Sequence, residues 1–386
     1  MSELRINNIT DRAGSSGPII AGVSTVTSTS HMVMPSGPTE MRGGRGRGVF
    51  GGGESNAMDF IEIATTGNAT DFGDLSETER LRPYSFASST RGIIGGGRDH
   101  PNYFSSIDFI TTSSGGGAND FGELIQGGWS GSGASNNTRG LFIGGYYPGT
   151  TDFAGTIRNF RKIQFVEIAS TGDATEFGEV TENGIRENGA LASPTRAVRL
   201  GGKTTTVAPS WGNEVKSIDF VTIATKGDAQ DFGELIEKNA AGTACSNSTR
   251  GIHAGGVFPA PSRIDVIQFI TIASLGNAQD FGDLTSVNCL QGGAASSTRG
   301  VFAGGSTPTT VNTIEFITIA TTGDAVEYQD MVGNNKVRIT RVYYKTPAAM
   351  WRFFGYYGGI NVIGNMMTYG QFADDSTFEV IPTWQN

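Results

Sequence analysis

Acidic side chains recur along the sequence in six pairs, and the two acids of each pair stand three residues apart around an aromatic residue. The pairs are Asp71/Asp74, Asp120/Glu123, Glu176/Glu179, Asp231/Glu234, Asp280/Asp283 and Glu327/Asp330. One interpretation is calcium binding, because Ca²⁺ prefers oxygen ligands. We favour a structural interpretation, in which one acid caps a turn and the other pairs with a repeated arginine. A feature present in every repeat is typical of architecture, and the DxDxDG loop of calcium sites is absent.

The histidines and cysteines form no catalytic or metal-binding pattern. His31, His100 and His253 occupy unrelated positions and give no pair at i, i+4. Cys245 and Cys289 form no CxxC motif, and each is expected to be a small buried side chain rather than half of a disulfide. Neither a GxSxG elbow nor a glycine-rich phosphate loop after a parallel strand is found. The sequence therefore predicts a protein that is not an enzyme and holds no cofactor and no metal.

A repeat of about fifty residues positions these side chains. Its anchor is the string Arg-Gly-x-x-x-Gly-Gly, with Ala for the first Gly in the fourth copy, and it begins at Arg47, Arg91, Arg139, Arg196, Arg250 and Arg299. A Phe-Gly step closes five copies, at Phe72, Phe121, Phe177, Phe232 and Phe281. Successive anchors are 44, 48, 57, 54 and 49 residues apart. This period is typical of four-stranded propeller blades.

The residue types within one repeat predict four short antiparallel strands. Small residues before the later arginines, as in FASST and AASST, predict an innermost strand, and the Gly-Gly pair ends the second strand where positive φ is needed. Apolar segments such as SIDFVTIAT predict the third strand, and a Thr-Gly-Asx-Ala turn leads to the fourth. Six copies suffice to close a ring. The alternative is an open β-solenoid, which would need polar caps at both ends.

The order of these features resembles the kelch repeat: Arg near the start of the second strand, Gly-Gly, a variable loop, a polar turn, then an aromatic followed by Leu. Kelch blades carry Trp at the aromatic position, where this chain has Phe. The resemblance covers residues 41–334 and implies an all-β fold, a six-bladed kelch-like β-propeller. Residues 1–40 form a predicted N-terminal attachment arm, and residues 335–386 a small aromatic-rich C-terminal β segment for packing or oligomer contact.

The arm, with LRINNITDRAG and AGVSTVTSTS, and the repeat signature IATTGNATDFGDL are similar to virion structural and tail-fibre proteins of marine, particularly cyanobacterial, bacteriophages. The resemblance implies a virion location, other virion proteins as partners and a homo-oligomer on the particle. The rest of the sequence is compatible with this. The net charge of −9 argues against nucleic-acid binding, no apolar run is long enough to span a membrane, and the N-terminus is not expected to be a signal peptide.

Sequence varies most between the Gly-Gly pair and the third strand, and loops on a rigid scaffold are where binding residues concentrate. Aromatic residues expected to be exposed in these loops are Tyr103, Tyr146, Tyr147, Trp211 and Phe258. They could stack on a host surface glycan, anchor a protein partner or pack over the blade edge. We therefore expect a phage virion structural protein, a tail fibre or another appendage, whose propeller loops mediate adhesion to the host surface or contacts with neighbouring virion proteins. The alternatives are a carbohydrate-active or galactose-oxidase-like kelch enzyme and a cellular kelch-like adaptor.

Overall fold

The computed structural model describes the chain at residues 47–51, 56–64, 69–77, 80–99, 102–146, 160–204, 213–307 and 313–327. The chain divides into two compact units, Met1–Ser36 and Gly37–Asn386, and every described residue belongs to the second. The predicted attachment arm and the C-terminal segment (335–386) lie outside the described residues. Within the described ranges, no helix is long and apolar enough to cross a membrane.

Six antiparallel sheets follow one another along the chain, and we number them blades 1 to 6. Blade 1 has three described strands, β1 (Arg47–Gly51), β2 (Ala57–Glu62) and β3 (Thr70–Asp74). In blade 2, a short hairpin lies between the second and third of four strands: β4 (Tyr84–Ala87), β5 (Arg91–Gly95), the hairpin β6 (Arg98–Asp99) and β7 (Asn102–Tyr103), β8 (Ser106–Thr111) and β9 (Asn119–Glu123). Blade 3 consists of β10 (Ser132–Ser135), β11 (Arg139–Ile143), β12 (Lys162–Glu167) and β13 (Thr175–Glu179).

The other three blades have the same strand order. Blade 4 is preceded by β14 (Ile185–Arg186), which pairs with β17 (Lys203–Thr204), and its sheet comprises β15 (Gly189–Ala192), β16 (Arg196–Leu200), β18 (Val215–Thr222) and β19 (Gln230–Asn239). Blade 5 comprises β20 (Thr243–Ser246), β21 (Arg250–Val257), β22 (Arg263–Thr271) and β23 (Gln279–Asp283). Blade 6 comprises β24 (Gly292–Ala295), β25 (Arg299–Ala303), β26 (Ile314–Thr318) and β27 (Val326–Glu327). The predicted four-stranded blade is confirmed in blades 2 to 6. The predicted small-residue first strand is found in blades 3, 5 and 6, whereas this strand includes Tyr84 and Phe86 in blade 2 and Leu191 in blade 4.

The ring is closed by apolar packing between each blade and the next. Buried clusters join blades 1 and 2, 2 and 3, 3 and 4, 4 and 5, and 5 and 6. A further cluster joins the last blade to the first, with Ile61 and Ile63 of blade 1 packed among Val301, Ala303 and Ile314 of blade 6. An open solenoid would leave these two faces apart. The prediction of a six-bladed β-propeller is therefore confirmed.

Each repeated arginine fastens its blade to the following one. Its guanidinium stacks on the phenylalanine of the adjacent third strand, for example 4.5 Å from the ring of Phe109 in the case of Arg91. It also donates to a main-chain carbonyl of the next blade, and Arg299 closes the circle by donating to the Ile63 carbonyl at 3.1 Å. The same bond runs from Arg47 to Thr112, Arg91 to Ile168, Arg139 to Ile223, Arg196 to Ile272 and Arg250 to Ile319. The predicted bridge between these arginines and the acid pairs is wrong, since the arginines reach carbonyl oxygens instead.

The Phe-Gly step is a β-bulge in the fourth strand, and it lets this strand hydrogen-bond to the next blade. In blade 2, Ile107 pairs with Gly122 and Asp108 with Asp120, which leaves Phe121 as the extra residue. Gly122 has φ +148°, and a Cβ there would collide with the Gly172 carbonyl of blade 3. The bulge turns the Phe121 carbonyl outward, where it accepts the Gly172 N–H at 2.7 Å. The same bond joins Phe72 to Gly116, Phe177 to Gly227, Phe232 to Gly276 and Phe281 to Gly323.

The acid or amide before the third-strand phenylalanine is an acceptor for the preceding blade. Asp108 accepts the Ser76 N–H at 3.1 Å, and Asp219 accepts the Thr181 N–H at 3.0 Å. Gln164, Gln268 and Glu315 accept corresponding bonds from the blades before them. The varied residue types at this position therefore share one property, a side-chain oxygen directed across the boundary between blades.

Candidate functional site

The variable connections start at the end of the ring where the described links between blades run, and we call this end the loop face. At the Gly-Gly pairs of blades 2 to 5 the second glycine donates its N–H to the link that enters the next blade. Gly97 donates to Gly128 at 2.8 Å and Gly256 to Asn288 at 2.7 Å. Both glycines of these pairs have positive φ, as the sequence predicted. The connections in which binding residues were expected therefore begin at a glycine that is hydrogen-bonded to the next blade.

A collar of left-handed residues strengthens the loop face. One non-glycine residue in each of the five described links has a φ between 51° and 65°, although this conformation costs an L-residue of order 1 kcal/mol. The N–H of each donates to the carbonyl of the preceding one over 2.7 to 3.1 Å, so the five form a chain of hydrogen bonds from blade 2 to blade 6. The collar residues are Arg82, Ser130, Glu187, Ala241 and Leu290.

Beside the collar lies a buried arginine–aromatic cluster, made of Arg82, Arg98, Trp129, Tyr146 and Arg186. The guanidinium of Arg98 lies 3.8 Å from the Trp129 ring, and that of Arg186 lies 5.5 Å from the Tyr146 ring. The two aromatic rings meet edge to face at 5.9 Å. Arg82 donates to the Ser130 hydroxyl at 2.6 Å. These contacts join blades 2, 3 and 4 and fix the base of their connections.

Charged side chains beneath the loop face are paired in the interior. Arg80 lies 3.3 Å from Asp108, and Arg199 lies 2.8 Å from Asp219, with all four side chains almost fully buried. Lys203 lies 3.3 Å from Glu214. Burial lowers the pKa of Lys203, and the carboxylates of Glu187 and Glu214 oppose that shift. Removing one partner of such a pair would leave an uncompensated buried charge, so these groups stabilise the ring.

The two cysteines and the one histidine that the structure describes are held in unreactive forms. Burial raises the pKa of the Cys245 and Cys289 thiols to about 12, so both are protonated at neutral pH. Burial lowers the pKa of His253 to about 4, and its imidazole is neutral. Both cysteines are free, as the sequence predicted. Among the described residues, no group of three His, Cys, Asp or Glu side chains is placed to hold a metal ion.

The five predicted loop aromatics occupy different environments. Tyr103 ends the short hairpin of blade 2 and is half-buried, and Phe258 is half-buried in the connection of blade 5. The prediction that Tyr146 is exposed is wrong, because its ring is 3% exposed and packs on Trp129. Tyr147 and Trp211 lie outside the described residues.

Sequence reasoning missed the arginine–aromatic cluster. Arg98 directly follows a Gly-Gly pair, and Trp129 lies in the otherwise small-residue segment QGGWSG. A tryptophan among glycines indicates a ring that packs on something beyond its own strand. Arg82 and Arg98 come from blade 2, so no spacing within one repeat identifies them. Tyr146 belongs to the same repeat as Trp129 and faces it across a bridge that recurs at the same spacing in blades 2 to 6.

The fold has counterparts among known proteins, whereas the sequence has none that identify it. No family model matches the chain, and no curated protein is significantly similar to it. A solved structure described as "Structure of YjhT" is similar, with a TM-score of 0.59 and 11% identity over 74% of this chain and 95% of that chain. At this identity the likeness shows the fold alone. The chain is an all-β protein with the fold of a six-bladed β-propeller.

Proposed function

We propose that this chain is a non-enzymatic structural protein of a bacteriophage particle, a tail fibre or another appendage. Its propeller would present the loop-face connections to the host surface or to neighbouring virion proteins. The observation that carries the proposal is a rigid ring with connections of very unequal length. Between the Gly-Gly pair and the third strand they range from three residues (54–56) in blade 1 to sixteen (146–161) in blade 3.

The contrast between ring and connections supports a recognition role. Arginine stacking, bulge pairing and the collar are repeated from blade to blade, whereas each connection has its own sequence. A scaffold that is fixed in this way lets the connections differ without loss of the fold. The protonated thiols and the neutral, buried His253 also favour binding over catalysis, because neither supplies an activated nucleophile or an accessible base.

The resemblance to phage virion proteins, in the arm and in the IATTGNATDFGDL signature, supports the location on a particle. In this proposal the kelch-like repeats form the propeller, and the arm attaches the propeller to the particle. In this proposal the chain is a homo-oligomer on the virion, and its partners are other virion proteins and a molecule on the host surface.

Labelling of intact virions tests the proposal. Antibodies raised against the purified propeller are incubated with particles and viewed by negative-stain electron microscopy, with pre-immune antibodies as the control. We expect label at a tail or another appendage. Absence of label on intact particles would refute the proposal. Metal analysis of the purified protein separates the oxidase alternative, because stoichiometric copper would favour an enzyme over a structural protein.

A further inference from the structure

Blade 5 carries a connection that is described completely and that differs from its counterparts. In blades 2, 3 and 6 the second strand ends at or before the residue preceding the Gly-Gly pair. In blade 5 the pairing continues through the glycines, with Gly256 opposite Ile264 and Val257 opposite Arg263. The hairpin is therefore two residue pairs longer and ends in a tip, residues 258–262, at the loop face.

The tip has a fixed conformation. The Phe258 N–H donates to the Ser262 carbonyl at 2.9 Å, and the Ser262 N–H donates to the Pro259 carbonyl at 2.8 Å. Pro259 and Pro261 restrict φ at two of the five positions. A segment that is ordered before binding loses less conformational entropy when a partner immobilises it.

Neighbouring blades hold the base of the hairpin on both sides. Val257 exchanges main-chain hydrogen bonds of 2.8 and 3.3 Å with Ala240, in the link from blade 4. Arg263 donates to the Ser306 hydroxyl of blade 6 at 3.2 Å. These hydrogen bonds hold the base of the hairpin, and with it the tip, in a fixed position on the ring.

The surface of the tip is apolar and poor in hydrogen-bond donors. Pro259, Ala260, Pro261 and Ser262 are exposed, Phe258 is half-buried, and none of the five is charged. The prolines have no N–H, and the N–H groups of Phe258 and Ser262 are used within the turn. What the tip offers is two pyrrolidine rings, a methyl group, main-chain carbonyls, the Ala260 N–H and one hydroxyl.

We propose that this tip docks into an apolar, aromatic-lined groove of a protein on the host surface. The inference rests on the proposed attachment function and names the class of partner. An apolar groove lined with aromatic rings can pack against the two pyrrolidine rings and the methyl group, and donors at its rim can bond the main-chain carbonyls. A glycan is the poorer match, because its many hydroxyls need donors as well as acceptors and the tip has few donors.

The test is the binding of the full-length, fluorescently labelled chain to intact host cells, measured by flow cytometry over a concentration series. Cells are used untreated, after proteinase K, and after periodate oxidation of surface glycans. Two variants add one negative charge at exposed positions of the loop face. Ala260→Glu places it on the tip, and Asn102→Glu, on the hairpin of blade 2, is the matched control. Circular dichroism and the unfolding midpoint show whether each variant folds.

We expect the wild type and Asn102→Glu to bind alike, Ala260→Glu to bind at least tenfold more weakly, and proteinase K to abolish binding while periodate does not. If a folded Ala260→Glu variant binds with wild-type affinity, the tip is not the contact, although the proposed attachment function is not refuted by this result. Loss after periodate and survival after proteinase K would show a glycan and overturn the protein partner. If the wild type binds no untreated cells, both the tip assignment and host attachment are wrong, whereas virion labelling still decides whether the chain belongs to a particle.

Discussion

Replacing His253 by phenylalanine tests how the boundary between blades 4 and 5 responds to protons. His253 lies in β21 and is 1% exposed. A Cβ added at Gly189 or at Gly242 would collide with or crowd its ring, so these glycines leave the space that the imidazole fills. Phe142 and Phe302 occupy the same place in the repeat, three residues after the anchor arginine. The phenylalanine variant thus keeps an aromatic ring at this position and removes the titratable group.

The expected effect follows from the pKa of His253, which burial lowers from 6.5 to about 4. Because the folded-state pKa lies below the unfolded one, the unfolded chain binds more protons in the interval between them, and the free energy of unfolding falls as the pH drops. A pKa difference of about 2.5 units corresponds to about 3 kcal/mol. About 2 kcal/mol of this is lost between pH 7 and pH 5, and the remainder as the pH falls through about 4.

Urea unfolding of the wild type and of His253→Phe, each at pH 7 and at pH 5, measures this difference. Carboxylates also titrate in this interval, but they are common to both proteins and cancel in the comparison. We expect the wild type to lose about 2 kcal/mol more than the variant between the two pH values. Equal losses in the two proteins would show that His253 is not held neutral in the folded state, and the argument from burial would fail.

Three further predictions concern the ring and its thiols. Arg299→Ala removes the hydrogen bond to the Ile63 carbonyl of blade 1 and the stacking on Phe316 within blade 6, and we expect a loss of about 2 kcal/mol in urea unfolding. An unchanged unfolding midpoint would contradict a role of Arg299 in closing the ring. Gly116→Ala and Gly122→Ala both place an alanine at a positive φ, but only Gly122→Ala also places its Cβ against a carbonyl of the next blade. We therefore expect Gly122→Ala to lower the melting temperature clearly more than Gly116→Ala does. Equal shifts in melting temperature would refute the close approach at Gly122. Burial raises the thiol pKa values of Cys245 and Cys289 to about 12, so we expect both to react with a thiol reagent at pH 8 only after the protein unfolds. Rapid labelling of the native protein would contradict their burial.

The elements of the fold that repeat could be predicted from the sequence, because each repeated residue does the same thing in every blade. The Gly-Gly pair follows each anchor arginine at a constant offset, which locates the second strand and its end. The Phe-Gly step follows the anchor at a variable distance, and its bulge is seen only in the structure. The collar could not be found in this way. Arg82, Ser130, Glu187, Ala241 and Leu290 share a conformation and no side-chain property, so the ring imposes their φ against their own preference.

The environment of single side chains was harder to predict than their place in the chain. Tyr146 stands at the start of a long variable connection, and position alone suggests exposure. Its burial follows from the bridge between its main chain and that of Trp129, whose two hydrogen bonds of 2.9 and 3.1 Å hold the two aromatic residues side by side. Corresponding main-chain bridges join Leu81 to Arg98, Arg186 to Lys203, Ala240 to Val257 and Cys289 to Ser306. The contact therefore belongs to the repeat, but the residue types at its two positions vary too much to reveal it in the sequence.

The repeated acids can now be related to the outer edge of each blade. Each described pair lies on the fourth strand, on either side of a buried phenylalanine, with nearly all the carboxylates exposed. The second half of that strand is used by the next blade, since Glu123 donates its N–H to Asp173 and accepts the Ala174 N–H. The first half keeps an outward edge, and short, bulged, charged edges resist pairing with another sheet. A ring of six blades multiplies such edges, which gives a physical reason for the acids to recur in every copy.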